Sequence, residues 1–387
     1  MNDQIGGNWV YQDKTGHSSI FKTTHIISSK EFSQYSDFTM PDDFPDYPSG
    51  SQLLSYFNSY VDKFDLRKHI KFSTQVSKAV PSHDKWKIYF DEFCEEFDYL
   101  IIANGHHWSP RIPTFEGDFN GELMHSHQFK NNEYFKDKSV LVVGGGNSAC
   151  DIAVEVSRVA KKTSISMRRG YHFIPKFIMG MPSDVFYSKT LWIPQKIRLF
   201  LQKLALRFIQ GKYEDYGLQK PDHDILQTHA TINSELLYFI KHGKIKPQKN
   251  IRKFSNNSVE FEDGSIDNFD IVLFATGYKI KFPFFDEADI NYEKNEIDLY
   301  NFCFHPKYKN LMFVGLLQPL GCIWPISDLQ SQQIVKYLSN EWKLPANLEK
   351  AVYDQQNNMP YEFINTPRHK LEVDFHDFVK HLKNELS

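Results

Sequence analysis

The chain has 387 residues, a length that predicts a protein with two domains rather than one. Hydrophobic residues make up 41% of the sequence and 33 residues are Phe, so the chain can bury a sizeable core and is not expected to be disordered. The formal net charge of -3 gives no reason to expect the basic field that non-specific nucleic-acid binding needs, so no nucleic-acid partner is expected, while local basic patches stay open.

The cysteine pattern and the N-terminus indicate the compartment. None of the four cysteines belongs to a CxxC pair or lies near a His pair, so neither a zinc site nor any other metal site is expected: Cys94, Cys150, Cys303 and Cys322. The N-terminus lacks the features of a signal peptide, and no segment approaches the ~20 apolar residues that span a bilayer. We therefore expect a cytoplasmic protein. The sequence does not indicate an oligomeric state.

The first third of the chain predicts one helix and two strands. Residues 51–70 place Leu, Tyr, Phe and Val at three- and four-residue spacing, which is typical of an amphipathic helix. Residues 85–90 (KWKIYF) and 97–103 (FDYLIIA) predict strands, and the second is apolar enough for a buried parallel sheet. The Gly, His and Pro residues that follow predict a loop.

Residues 137–170 predict a complete nucleotide-binding unit of strand, glycine turn, helix and strand. From this unit onward the predicted elements are, in chain order, a strand at 139–143, a helix at 147–160, a strand at 163–168, a helical region at 180–250, short strands over 251–276, and final helices near 327–343 and 368–386. Strands and helices that alternate in this way predict a doubly wound α/β fold.

The glycine turn and the end of the second strand indicate the nucleotide. Gly144 and Gly146 match G-x-G, in which the first glycine allows a tight turn and the second lets the backbone approach a pyrophosphate. Ala149 is the third small residue and permits close packing of helix and strand. Where an NAD site usually has an acid, Arg168 and Arg169 offer guanidinium groups that suit a 2′-phosphate. The pattern favours NADPH over an ordinary crossover with a solvated arginine pair.

Four separated stretches match or resemble the motifs of one protein family. FNGELMHSHQF (119–129) fits the pattern F-x-G-x-x-x-H-x-x-x-F/W, and FATGY (274–278) fits a second motif. IIANGHHWSPRIP (101–113) is similar to a linker of the family, with Asn104 where Thr is usual, and 313–330 is similar to its C-terminal flavin-side segment. Over nearly its whole length the chain thus resembles the flavin-containing monooxygenases of the dimethylaniline N-oxide-forming type.

This resemblance implies two intertwined doubly wound, Rossmann-like nucleotide-binding domains. The FAD domain would comprise residues 1–135 and 277–387, and the NADPH domain residues 136–276, with a helical insertion at about 180–250. An NADPH domain inserted into an FAD domain explains why a nucleotide motif lies in mid-chain.

The family begins with a βαβ element that this sequence does not show. Its members have a strand, a G-x-G-x-x-G turn, a helix and a strand ending in Glu before I-G-G-x-W, whereas here IGGNW begins at Ile5. That element of ~30 residues holds the FAD pyrophosphate and ribose. We therefore expect an N-terminally truncated product or a misassigned start codon rather than a functional variant, with apolar faces of the first sheet exposed.

The resemblance also implies flavin-side positions. Ser28 and Ser29 match an S-S-K segment near the flavin ring and are candidate catalytic positions. The family commonly has Asn before this segment, where it stabilises a flavin hydroperoxide; here the residue is Ile27, which cannot donate a hydrogen bond. The other implied flavin-side and inter-domain positions are Gly6, Gly7, Asn8, Trp9, Thr276, Gly277 and Gln318.

On the NADPH side, the resemblance assigns the start of the helix after the glycine turn to cofactor binding. The matching positions are Asn147, Ser148, Ala149, Cys150 and Asp151. Cys150 is expected to be a small packing residue rather than a redox group. The motif makes His125 a candidate catalytic position with a functional, conformational role rather than mere packing, and nothing in the pattern makes it a general base.

The function implied is that of an NADPH- and FAD-dependent monooxygenase. In this family a C4a-hydroperoxyflavin transfers one oxygen atom from O2 to a small soft nucleophile, at nitrogen or sulfur, and the flavin rather than a side-chain triad carries the chemistry. Two alternatives remain: a non-catalytic NADP(H)-binding remnant that has lost flavin, and, less favoured, Baeyer–Villiger oxygenation of a ketone.

Residues 191–212 (LWIPQKIRLFLQKLALRFIQGK) combine bulky apolar residues with five cations and no acid. A basic amphipathic helix of this kind can lie on an anionic membrane, which makes a peripheral membrane contact one interpretation. The alternative, which we favour at this point, is a helix that covers the substrate channel with its charges in solvent.

Overall fold

The computed structural model describes residues 2–229, 231–290, 292, 297–358, 363 and 369–387. Within these ranges the α-helices are α1 Gly50–Lys63, α2 Asn147–Ser157, α3 Ser183–Ser188, α4 Gln195–Gln210, α5 Leu236–Lys241, α6 Trp324–Leu338, α7 Leu348–Asn357 and α8 Phe375–Leu386. The strands are β1 Val76–Ser82, β2 Lys85–Phe90, β3 Phe93–Phe97, β4 Leu100–Ile102, β5 Ser109–Pro110, β6 Glu122–His125, β7 Ser139–Val143, β8 Lys162–Ser166, β9 Phe173–Ile174, β10 Phe177–Ile178, β11 Met181–Pro182, β12 Thr231–Ile232, β13 Ile245–Gln248, β14 Ile251–Ser255, β15 Ser258–Phe261, β16 Ile266–Asn268, β17 Ile271–Phe274, β18 Tyr278–Lys279, β19 Leu311–Phe313, β20 Gln318–Pro319 and β21 Glu372–Val373.

The central sheet consists of parallel strands in the order β13-β8-β7-β17-β6. Strands β7 and β17 lie side by side in its middle, with Val140 opposite Ile271, and residues 140–143 and 271–274 are buried. Helix α2 packs on one face of the sheet, and the antiparallel sheet β14-β15-β16 packs on the other. The unbroken apolar runs of β7 and β17 are what strands covered on both faces require.

A second region surrounds β4, which pairs in parallel with β19, and the antiparallel sheet β1-β2-β3. Ile102 points into the core that these strands share with α6 and α8. In the part of the chain that the structure describes, β4 has no second sheet neighbour, and Ile101 is 45% exposed. The prediction of a buried strand at 97–103 is therefore wrong in part: the strand is parallel but shorter, and nothing described covers the face that carries Ile101.

Helix α1 confirms the amphipathic pattern but is shorter than predicted. It begins with a capping box in which the Ser49 hydroxyl accepts from the Gln52 amide at 3.4 Å and the Gln52 side chain accepts from the Ser49 amide at 2.9 Å. The helix ends at Lys63 because Asp65 adopts a φ of 50°, which a right-handed helix does not permit. Residues 64–70 therefore do not continue it.

The region 180–250 is less helical than its composition predicts. It contains α3, α4 and α5, but also 3₁₀ turns and the strands β11, β12 and β13. Strand β13 pairs with β8 and forms an edge of the central sheet. The apolar residues of this region belong to several short elements that are held in place by tertiary contacts. A helical periodicity in the sequence does not distinguish such elements from continuous helix.

The C-terminal helices also differ from their predicted bounds. Helix α6 begins at Trp324, with Pro325 in its first turn, and α7 at 348–357 was not predicted. Residue 368, where the last helix was expected to begin, lies outside the described residues. Helix α8 begins at Phe375, and the Asp374 carboxylate caps it by accepting from an amide of the first turn at 3.0 Å. None of the helices in the described ranges is long and apolar enough to cross a bilayer.

The N-terminal segment, residues 2–49, joins the two regions. His127, which follows strand β6 of the central sheet, donates from Nε2 to the Gly16 carbonyl at 2.7 Å. The Ser29 amide donates to the Asp184 carboxylate in α3 at 2.6 Å. Both contacts tie an irregular stretch of chain to ordered elements, and the edge-on packing of Phe32 against Phe375 of α8 ties the same segment to the core of the β4 region.

Candidate active site

The glycine turn between β7 and α2 packs tightly against the end of β17. Gly144 has a φ of 138°, and a Cβ atom at this position would lie 2.4 Å from the Ala275 carbonyl oxygen and 3.2 Å from the Ala149 Cβ. Gly146 caps the N-terminus of α2, and Ala149 is fully buried beneath the turn. Only glycine fits at residue 144, so the positive end of the α2 dipole is held at the carboxyl edge of the sheet.

Two arginines follow the neighbouring strand, β8. Arg168 is exposed, while Arg169 is half-buried with its guanidinium 5.6 Å from the centre of the Tyr171 ring. Arg169 Nε is buried and has no hydrogen-bond partner among the described residues. Two cations therefore lie at the same edge of the sheet as the start of α2, as the sequence predicted, and one of them has a donor available for a ligand.

Sequence reasoning missed the residues that cover this turn. The Tyr171 ring lies against Gly145, because a Cβ at Gly145 would come within 2.1 Å of a ring carbon. Strand β12 closes the same turn: Thr231 donates from its hydroxyl to the Gly145 carbonyl at 3.0 Å, and the Ile232 amide donates to the Asn147 side chain at 2.7 Å. Strand β12 is more than 80 residues away in sequence, and no local pattern indicates the contact.

Below the turn, Asp151 is held by the residue after β12. The Asn233 side-chain amide donates to the Asp151 carboxylate at 2.7 Å. Burial raises the pKa of Asp151 to about 6, and Lys176 and the Asn233 hydrogen bond oppose that rise. Cys150, the neighbour of Asp151, is fully buried in the core of α2, and burial raises the pKa of its thiol, so it has the character of a packing residue. Ser148 is exposed at the helix start.

The His125 ring forms hydrogen bonds to the backbone of two segments. Its Nε2 donates to the Gly277 carbonyl at 3.1 Å, and its Nδ1 accepts from the His127 amide at 3.1 Å. These two bonds assign the proton of the neutral imidazole to Nε2. Burial lowers the pKa of His125 to about 4. Because both ring nitrogens bind backbone groups, His125 is a positioning residue, which agrees with the conformational role implied by its motif.

The two linkers between the regions pair with each other beside His125. Strands β5 and β18 form an antiparallel pair, the Thr276 hydroxyl donates to the Arg111 carbonyl, and the Arg111 amide donates to the Gly277 carbonyl at 2.9 Å. Gly277 has a φ of 83°, a conformation that favours glycine. The Tyr278 ring packs edge-on against His125, with ring centres 5.2 Å apart. The FNGELMHSHQF and FATGY motifs thus meet where residues 109–111 pair with residues 276–279, which we call the crossing of the two linkers.

Residues 6–9 form the N-terminal turn. Gly6 and Gly7 have φ values of 121° and 51°, which favour glycine at both positions. The Asn8 side chain accepts from the Ser19 amide at 2.7 Å and from the Ser19 hydroxyl at 2.9 Å. In this arrangement Asn8 fixes the turn to the chain that leads to residues 27–29.

The segment at 27–29 carries a buried polar atom with no protein partner. The Ser28 and Ser33 hydroxyls are 2.8 Å apart and bond to each other. The Ser29 amide is bound by Asp184, which sequence reasoning missed, whereas the Ser29 hydroxyl is buried without a hydrogen-bond partner in the described part of the chain. Ile27 is half-buried and offers no side-chain donor.

The C-terminal flavin-side residues lie near the N-terminal turn and the first linker. The Trp9 and Trp324 rings pack edge-on with centres 5.6 Å apart, which joins the turn to the start of α6. Gln318, on β20, accepts from His106 of the first linker at 3.4 Å. Asn104, where the family usually has Thr, is exposed. The structure therefore joins the N-terminal turn to α6 and the first linker to β20, and it brings the glycine turn, the start of α2 and the two arginines to one sheet edge.

Comparison with known proteins agrees with this arrangement. The pattern of the flavin-binding monooxygenase-like family matches residues 1–387. The chain belongs to this family. Flavin-containing monooxygenase 5 of Homo sapiens is 34% identical over 98% of this chain and 76% of its own length. Dimethylaniline monooxygenase (N-oxide-forming) 2 of Oryctolagus cuniculus is 31% identical over 99% of this chain and 76% of its own length.

Solved structures show the same fold at lower identity. S-allyl-L-cysteine S-oxygenase from Allium sativum superposes with a TM-score of 0.72 and 22% identity over 99% of this chain and 80% of that chain. Cyclohexanone monooxygenase from Rhodococcus sp. Phi1 bound to NADP+ gives a TM-score of 0.69 and 15% identity over 99% of this chain and 90% of that chain. The predicted family, the two Rossmann-like domains and the enzyme class, a flavin-dependent monooxygenase, are confirmed.

Proposed function

We propose that this chain is an NADPH- and FAD-dependent monooxygenase that inserts one oxygen atom of O2 into a nitrogen or sulfur atom of a small nucleophile. The observation that carries the proposal is the carboxyl edge of the central sheet, where the Gly144 turn, the N-terminus of α2 and two arginines meet. The names of the relatives and of one structural neighbour, an N-oxide-forming enzyme and an S-oxygenase, support the substrate class.

The residues at this edge fit NADPH. The Gly144 turn allows a pyrophosphate to approach the backbone and the first turn of α2, where amide groups favour an anion. Arg168 and Arg169 would bind the 2′-phosphate, and Arg169 Nε, buried without a partner among the described atoms, would gain one. The Tyr171 ring packs on Gly145, so it would have to move aside or stack on the nucleotide when the nucleotide binds.

The crossing of the two linkers fits a flavin in part. The Ser29 hydroxyl is a buried polar group that a ligand atom would satisfy, and Asp184 orients it by holding the Ser29 amide. Gly6, Gly7 and Trp9 would lie along the flavin nucleotide, with Thr276, Gly277 and Gln318 at the crossing. When bound, FAD reduced by NADPH supplies the electrons that activate O2. His125 would hold the two linkers in register by its bond to Gly277.

The chain's own groups then position and shield the reactants. His125 is not assigned as a general base, because both of its ring nitrogens bind backbone groups, and Ile27 has no side-chain donor or acceptor. We propose the domain division as residues 1–135 and 277–387 around 136–276. The pairing of β4 with β19 supports it, although β6, within 1–135, joins the central sheet.

A second candidate function is NADP(H) binding without a flavin. It is favoured by the face of β4 that no described residue covers, where Ile101 and the adjoining linker residues Ala103, Asn104 and Gly105 are exposed. A flavin held at this linker would have one side in solvent. Oxygenation of a ketone is a further candidate, supported by the name of the cyclohexanone monooxygenase neighbour alone.

The experiment is an absorbance spectrum of the chain purified with added FAD, recorded before and after anaerobic NADPH, with NADH as the matched control. We expect a bound-flavin spectrum that NADPH bleaches faster than NADH does. On admission of O2, dimethylaniline, S-allyl-L-cysteine and cyclohexanone would be compared as probes, with N-oxide and S-oxide expected as products. NADPH binding without retained flavin would overturn the monooxygenase proposal in favour of the second candidate.

A further inference from the structure

Arg198, the one buried residue of helix α4, is a cation without an acidic partner. It is 6% exposed, and no carboxylate among the described residues forms an ion pair with it. One amino group of its guanidinium donates to the Tyr187 hydroxyl at 3.0 Å, and the guanidinium carbon lies 4.6 Å from the centre of the Tyr187 ring. Arg198 Nε is buried without a hydrogen-bond partner in the described part of the chain. Because a buried guanidinium is normally paired, this one has a donor and a positive charge available for an anion.

The groups that face Arg198 from the neighbouring elements do not neutralise its charge. Burial raises the pKa of Tyr187, on α3, to about 12, so this phenol stays protonated. Burial also lowers the pKa of His376, in the first turn of α8, which keeps that imidazole neutral at pH 7. Asp374 and Asp377 act on both side chains, but neither forms an ion pair with the guanidinium.

A row of rings leads from Arg198 towards the segment at 27–29. The Tyr187 ring, which contacts the guanidinium, stacks on the His376 ring with centres 5.8 Å apart. The His376 ring packs edge-on against Phe32, with centres 5.5 Å apart. Phe32 follows this segment in the sequence, so the rings provide continuous apolar surface between the segment and the buried cation.

The other end of this row carries a second unsatisfied polar group. Asp184, three residues before Tyr187 on α3, accepts from the Ser29 amide at 2.6 Å and so holds α3 against the segment. Ser29 is buried, and its hydroxyl has no hydrogen-bond partner among the described atoms. A cationic group and a neutral polar group are therefore joined by aromatic surface, which is the composition of many small-molecule sites.

We propose that Arg198 binds the carboxylate of the substrate, which makes the substrate class a small thioether or amine that carries a carboxylate. This inference rests on the proposed monooxygenase function and names the substrate of that same site. The Nε and an amino group of a guanidinium lie side by side and match the two oxygens of a carboxylate. The rest of the substrate would lie along the rings, with its sulfur or nitrogen atom towards Ser29.

The charges around Arg198 favour a carboxylate over a phosphate. One buried cation balances one negative charge, and the nearby Asp374 and Asp377 would repel a dianion. The site lies beneath the inner side of α4, so the proposal agrees with the interpretation of 191–212 as a helix that covers the substrate channel.

The test is calorimetric titration of the whole chain, supplied with FAD and NADP+, with 3-(methylthio)propanoate and with its neutral counterpart, 3-(methylthio)propanamide. We expect the wild type to bind the propanoate about 20-fold more tightly than the amide, and Arg198→Gln to lose that preference, because a charge-assisted pair is removed. Arg198→Lys keeps the charge without the planar pair of donors, so it should lose about fivefold in affinity for the propanoate.

Tyr187→Phe is the matched control for a role of Arg198 in holding α4. This variant loses the hydrogen bond to the guanidinium but keeps the charge and the ring, so it should keep the preference for the propanoate. Circular dichroism shows whether each variant is folded. The proposal is overturned if Arg198→Gln and Tyr187→Phe weaken the binding of both compounds equally, or if the folded wild type binds neither compound.

Sulfoxide formation from the same two compounds, with NADPH and O2, separates this inference from the proposed function. A chain that oxidises the amide but binds the propanoate no more tightly would overturn the role of Arg198 and leave the monooxygenase proposal standing. A chain that binds the propanoate through Arg198 but forms sulfoxide from neither compound would support the carboxylate site and contradict the monooxygenase proposal.

Discussion

The central sheet and the β4 region are both built on parallel strands with apolar sequences, yet they differ in burial. In the central sheet, β7 has a neighbour on each side and a covered layer on each face, and Leu141 is fully buried. In the β4 region, one side chain of the strand enters the core and the next, Ile101, is 45% exposed. An apolar strand therefore indicates a tendency to be buried, and its neighbours decide whether burial occurs.

The largest expected effect tests this difference directly. Leu141→Ala should lower the free energy of unfolding by about 3 kcal/mol, because it removes buried methyl groups and leaves a cavity. Ile101→Ala should cost less than about 1 kcal/mol, because that side chain is already largely in water. Urea denaturation of both variants measures the two values. Equal losses would mean that something covers β4 in solution.

The glycine turn gives the next effect. Gly144→Ala should destabilise the chain by about 2 kcal/mol, since the new Cβ would press on the Ala275 carbonyl, and should also weaken NADPH binding. Gly243→Ala is the matched control: its φ of 68° is also positive, but nothing lies within 4 Å of its Cβ, so about 1 kcal/mol is expected. Thermal melts with and without NADPH compare the pair. The prediction is wrong if Gly144→Ala binds NADPH as tightly as Gly243→Ala does.

The arginines after β8 should affect selectivity more than stability. Arg168→Ala/Arg169→Ala is expected to weaken NADPH binding about 20-fold and NADH binding little, because only NADPH carries the 2′-phosphate. Titration of both nucleotides by calorimetry gives the ratio. A similar loss of NADH affinity would show that the arginines support the fold and do not bind the 2′-phosphate.

The smallest effect concerns His125, at the junction between the regions. Burial lowers its pKa to about 4 in the folded chain from the ordinary histidine value of 6.5, so the unfolded chain binds more protons between these two values. Its contribution to stability is therefore complete above pH 6.5 and declines as the pH falls towards 4. His125→Asn should be less stable at neutral pH and lose less on acidification. Parallel stability curves for the variant and the wild type would contradict this assignment.

Much of the site was predictable where the residues are local in sequence. The turn at Gly144, the start of α2 and the arginines after β8 lie within 30 residues, and a βαβ unit brings them to one edge by its own geometry. Tyr171 was close to the same stretch but carried no signal of its own. Thr231, Asn233 and Asp184 come from distant segments, so only packing could reveal them.

The sequence by itself determined the family, the three middle strands of the central sheet and the nucleotide turn, because apolar runs and glycine spacing are local properties; the edge strands β6 and β13 were not predicted. It also showed that 191–212 is basic and apolar without an acid. Only the tertiary structure decided that the apolar side of α4 faces solvent, since both faces of that helix carry apolar residues and the hydrogen bonds of Arg198, which is buried, and Gln210, which is half-buried, set its rotation. The exposure of Ile101 was decided in the same way, by which neighbours β4 finds.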